Sequence, residues 1–226
     1  APHSQSYAGW LSNHGSSMIV HILMEPENAD HMTLPGYITR AQSPQERAKI
    51  FDDALDALPD IVGFNNHMGS VLTADAGVMT ELVARLEPGA LVLDSRTPTV
   101  SALAPAARKR GLPTAERSVF IDNVREHDAI RRQLEVALAI AKTKGSAVAI
   151  GHPYPETALA LAGFLTAHPE EVHLVPIERV AKPATLPIWL RQCADGRSTW
   201  TPPGEQEQDE GQGEEEEPDP AAPTVD

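Results

Sequence analysis

The chain has 226 residues, 41% of them hydrophobic and only 4% aromatic, which is enough apolar material for one sizeable core and does not call for two. Its formal net charge is −14, but residues 204–226 hold ten acidic residues and no Lys or Arg, so the rest is near balance at −4 and carries no mark of a nucleic-acid surface. A single cysteine, Cys193, excludes an internal disulfide. No run of about 18 apolar residues marks a membrane span.

In chain order, residues 4–14 predict a helix ending at Gly15, and 17–23 (SMIVHIL) a buried strand. A mixed loop follows. Ser43-Pro44-Gln45-Glu46 then starts a helix: Ser43 caps, Pro44 suits the first helical position and Glu46 completes a capping box. Its apolar stripe runs through Ala48, Phe51, Leu55 and Leu58. Residues 61–66 are a strand, 75–86 a helix, 90–94 a strand and about 99–110 a helix. Strands are expected at 118–122, 146–151 and 172–177, with helices at 126–144 and 155–167 between them. Beyond about residue 181 no period is evident; 181–203 reads as an extension, and the Glu- and Pro-rich 204–226 as a solvated, disordered tail.

Strict alternation of strand and helix demands parallel strands with right-handed crossovers, as in a barrel or a doubly wound sheet. The ends of these strands carry polar residues: His21 with Glu25 beyond it, Asn65-Asn66-His67, Asp94-Ser95, Asp122-Asn123, and Gly151-His152. Asp or Asn after a strand is often a helix cap. Five successive ends with three histidines point instead to a site, because parallel α/β folds build their sites at that end. Histidines with carboxylates and no clustered cysteine suit Zn²⁺, or less often Mn²⁺, Co²⁺ or Fe²⁺. No phosphate-binding glycine loop and no G-x-S-x-G elbow is present. Metal-assisted hydrolysis and a non-catalytic binding pocket remain.

The segments VHILMEP, GFNNHMGS, LVLDSRT, SVFIDN and AIGHPYPET, in this order, resemble the divergent polysaccharide deacetylases, a branch of the NodB-like carbohydrate esterases, over about residues 1–180. The resemblance implies an incomplete parallel (β/α) barrel, a divalent metal (usually zinc), a polysaccharide or oligosaccharide substrate and a periplasmic or cell-envelope setting. In classical members two histidines four residues apart bind metal with an aspartate. His21 matches the first; Glu25 stands where the second belongs, so Glu25 or His67 is left to supply that ligand. His152 matches the late histidine that acts as general acid. Asp94 is expected to hold metal or orient substrate in the catalytic group, and Asn65, Asn66, Asp122 and Asn123 to contact substrate. Family members open on a strand ending in paired aspartates, one a metal ligand and one a base; here the sequence opens on APHSQS, so the domain is expected to lack its first strands. The resemblance thus implies removal of acetyl groups from an envelope polysaccharide or, with hydrolysis lost, a carbohydrate-binding or scaffold role.

Overall fold

Chain order alternates as the sequence predicts. The computed structural model describes residues 4–13 and 17–181; the expected extension from residue 182 and the acidic tail lie outside the described residues. The helices are α1 (Ser4–Asn13), α2 (Pro44–Asp56), α3 (Ala76–Val83), α4 (Leu103–Lys109), α5 (His127–Lys144) and α6 (Pro155–Ala167). The strands are β1 (Met18–Met24), β2 (Ile61–Met68), β3 (Leu91–Asp94), β4 (Thr114–Glu116), β5 (Val119–Phe120) and β6 (Ala149–Ile150).

Local chemistry fixes the helix starts. The Ser43 hydroxyl accepts from Glu46 N–H while the Glu46 carboxylate accepts from Ser43 N–H, with Pro44 at the first helical position. The Asp75 carboxylate accepts from the N–H groups of Gly77 and Val78 and so starts α3.

β1, β2, β3 and β4 form one parallel sheet in that order, and β5 pairs in parallel with β6. Residues 114–120 are one path with two allegiances: its first half bonds to β3, its second to β6. The expected strand 118–122 is realised only as the short β5, and β4 just before it was not expected. The expected strand at 172–177 does not form. Pro176 cannot donate to a ladder, Leu174 and Val175 are exposed, and a 3₁₀ turn follows at Ile177–Arg179.

Side chains alternate across the sheet. One face sends Val20, Ile22, Met24, Phe64 and Val92 against the helix layer, where Phe51, Met79, Leu82 and Leu103 are fully buried. The other face carries Ile19, Leu91, Leu93 and Ala115, which meet Val148 and Ile150. This second face joins the two sheets. α5 and α6 cover β5 through Val119, Ile121, Ile130, Leu134 and Phe164.

Candidate active site

The register decides which polar residues meet. His21 stands opposite Asn65, and Leu23 opposite His67. His21, Asn65 and His67 therefore share the face turned away from the helix layer. His67 lies one diagonal step from His21, within reach of a long side chain. Their rings meet edge to face with centroids 4.9 Å apart, and His21 Nε2 lies 3.0 Å from His67 Nδ1. Gly69 closes the turn after β2 at φ +85°, and a Cβ there would lie 2.8 Å from that of Met24.

His21 touches solvent along one edge but is crowded by both strands. Burial, helped by the neighbouring His67 and His152 and opposed by a hydrogen bond with Asn65, lowers its pKa to about 4. Burial, then His152, also lowers that of His67. Both imidazoles are thus neutral near pH 7, and His152 is near enough to bias both.

His152 is held differently. Its Nδ1 lies 3.0 Å from Asp122 Oδ1, while Asp122 Oδ2 accepts from His152 N–H and from the Thr157 hydroxyl at 2.9 Å. The Asp122 side chain has no exposed surface. Gly151 permits this approach: a Cβ there would lie 3.1 Å from Asp122 Oδ2 and 2.7 Å from Ile121 Cγ1. With Nδ1 committed to the carboxylate, Nε2 is the free nitrogen. Phe120 and Tyr154 flank the ring at 5.4 and 5.1 Å between centroids, and Arg125 lies 4.2 Å over Tyr154.

The other expected residues go elsewhere. Glu25 accepts from Arg40 N–H at 2.7 Å and turns its carboxylate toward that loop. Asp94 lies one residue out of phase with Leu93, so it faces the helix layer, fully buried, and accepts from the N–H groups of Arg96 and Ala104. Asn65 donates to Leu93 O and Ser95 Oγ; Asn66 accepts from Ser95 N–H and donates to Met68 O. Both amides thus brace strand ends, and Asp122 orients His152 rather than facing substrate. Asn123 is exposed, beside Val124 and the start of α5. Thr157, Phe120 and Tyr154 were not expected at the site; Thr157, at the start of the helix after His152, was the one with a positional signal.

The divergent polysaccharide deacetylase family model matches residues 1–181. The chain belongs to the divergent polysaccharide deacetylase family. It is 33% identical over 176 residues to an uncharacterized protein of Haemophilus influenzae, a match covering 77% of this chain and 62% of that protein. It is 31% identical over 176 residues to the uncharacterized protein YibQ of Escherichia coli, covering 77% of this chain and 55% of that one. The chain thus spans little more than half the length of these relatives. A crystal structure of an uncharacterized protein from Agrobacterium tumefaciens shares the fold, with a TM-score of 0.73, 16% identity, and coverage of 78% of this chain and 73% of that one. The fold is accordingly the incomplete barrel of this deacetylase family; the described strands form no closed barrel.

A family metal tests the donor set. His21 Nε2 and His67 Nδ1 lie 3.0 Å apart in hydrogen-bond contact with each other; turned toward one ion bound at about 2.0–2.1 Å they would supply two neighbouring ligands. His21 and His67 therefore fit as two ligands of a set. Among the described residues no group of three or more His, Cys, Asp or Glu converges as a metal site.

Proposed function

We propose that this chain is the core of a metal-dependent deacetylase that removes acetyl groups from a polysaccharide of the cell envelope. The observation that carries the reading is the buried Asp122 clamping His152 beside a neutral histidine pair. In this reading His21 and His67 hold a divalent metal, zinc by donor type. Lewis-acid polarisation of a carbonyl is the chemistry such an ion supplies when bound. Asp122 holds His152 Nδ1 and so fixes the orientation of the ring. His152 Nε2 then delivers a proton to the departing amine or hydroxyl as the acyl bond breaks, and water supplies the new oxygen of acetate. Asn65, Asn66 and Ser95 keep the strand ends in place. The base that takes the water's proton is not assigned to a described residue.

The test is acetate release from N- and O-acetylated oligosaccharides, with calorimetric Zn²⁺ titration in parallel. His152→Ala is expected to cut acetate release by about 10²–10⁴-fold with metal affinity retained. His21→Ala and His67→Ala are expected to lower metal affinity at least about tenfold. Unchanged acetate release in His152→Ala, or unchanged metal affinity in both other variants, overturns the assignment. A second reading, a carbohydrate-binding or scaffold protein of the envelope, is favoured by one observation: Glu25 and Asp94 are both committed to backbone N–H groups, leaving two metal donors in the described residues. Glycan binding without acetate release or metal uptake selects it.

A further inference from the structure

Arg117 sits where the path 114–120 passes from one sheet to the other. Its backbone N–H bonds to Asp94 O. Its Nε donates to Ser95 O, and its Nη2 to Arg96 O at 2.7 Å. No carboxylate pairs with it among the described residues, and no described partner engages Nη1. The guanidinium is partly desolvated; burial first, and then the neighbouring Arg96 cation, push its pKa down, with Asp94 opposing. It remains charged at neutral pH.

A partly buried cation without a counter-ion is costly, and this one has two further costs around it. A second cation, Arg96, is held close to it. Arg96 also adopts φ +48°, a left-handed conformation that strains a non-glycine residue, and Asp94 holds that backbone in place. Arg96 and Arg117 line a cavity of about 330 Å³ with Arg108 and Lys144, and Glu116 is its one lining carboxylate. Glu116 is already shared by Arg96 and Arg108. The excess is positive in a chain whose net charge is −14. The cavity is therefore built for an anion.

Its position says which anion. Arg117 Cζ lies 5.6 Å from the Phe120 ring centroid, and that ring lies 5.4 Å from the His152 ring. Phe120 thus touches both the cation and the proposed acid, while the cavity itself is lined on its far side by Arg108, Ile140 and Lys144. The free edge of a guanidinium matches the two oxygens of a carboxylate. We propose that Arg117, supported by Arg96, is a specificity residue that receives the carboxylate of an acidic sugar adjacent to the acetylated one. This rests on the deacetylase reading for the sugar, and on the charge geometry alone for the carboxylate.

The test is calorimetric titration of the full chain with two N-acetylated oligosaccharides of equal length, one neutral and one alternating with carboxylate-bearing sugars. The acidic ligand is expected to bind at least about tenfold more tightly. That ratio is expected to fall to near one in Arg117→Gln, to an intermediate value in Arg117→Lys, and to weaken with added salt. Arg117→Lys keeps the charge beside the Ser95 and Arg96 carbonyls, and serves as the comparison if Arg117→Gln unfolds. Equal affinities, no measurable binding of either ligand, or a preference that survives in the folded Arg117 variants overturns the proposal. Preferential binding without acetate release leaves the carboxylate site standing and defeats the deacetylase reading; acetate release with equal affinities does the reverse.

Discussion

His152 and the His21–His67 pair differ in what surrounds them. His152 is tied to a carboxylate that has no exposed surface and that also holds a backbone N–H and a threonine hydroxyl. Among the described residues the His21–His67 pair has no carboxylate partner, and burial, before neighbouring histidines, lowers the pKa of both rings. The first arrangement commits one ring nitrogen to the carboxylate and leaves the other, a single defined atom, free. The second favours lone pairs offered to a cation. The same side chain thus stands in two environments, separated by whether a buried carboxylate stands behind it.

The largest test of that difference removes the carboxylate. Asp122→Ala strands the Thr157 hydroxyl and two His152 donors, so it is expected to cost about 2–4 kcal/mol in urea unfolding. His21→Ala, which strands no buried acceptor or donor of comparable number, is expected to cost markedly less. Equal losses would erase the distinction.

A smaller effect follows from the neutral pair. The pKa of His21 is about 4 in the folded chain against an ordinary 6.5, so the unfolded chain takes up the proton first as pH falls. The stabilising contribution is complete above pH 6.5 and is lost as pH falls toward 4, with His67 acting in the same sense. Allowing for solvent screening, the loss is about 1–2 kcal/mol. Unfolding midpoints at pH 7 and pH 4.5 are expected to differ more in the wild type than in His21→Asn. An equal difference would mean that His21 titrates normally.

The smallest effect is at Glu25. Glu25→Gln keeps an acceptor for Arg40 N–H and loses only a 3.8 Å ion pair at the surface. Stability is expected to change by less than about 0.5 kcal/mol, and Zn²⁺ affinity by less than about twofold. A tenfold loss of affinity would restore Glu25 as a ligand.

The sequence made local signals plain. The Ser43 cap and the placement of His67 and His152 at strand ends need only neighbouring residues to be read, whereas His21, expected at a strand end, lies three residues inside β1. The facing of Asp94 was not legible, because all four residues of β3 are buried and a strand covered on both faces shows no alternation. Glu25 was misplaced for another reason: four residues of spacing bring side chains together on a helix, whereas here Glu25 leaves a strand into a loop that Arg40 captures. The His21–His67 contact needs the β1–β2 register, which no single segment contains. The run at 172–177 had the apolar content of a buried strand, but Pro176 and the lack of a pairing partner leave it as an exposed turn.

The path through residues 114–120 has a consequence for motion. His21 and His67 ride on β1 and β2, His152 follows β6, and this one path is paired to both sheets. Amide protons in β1–β3, bonded within a four-stranded sheet, are expected to exchange with solvent more slowly than those of Ile121 and of the two-stranded β5–β6 pair. Opening the smaller sheet would carry His152 away from His21 and His67 without unfolding the larger sheet. The distance between His152 and the His21–His67 pair is thus set at the seam, where Arg117 sits.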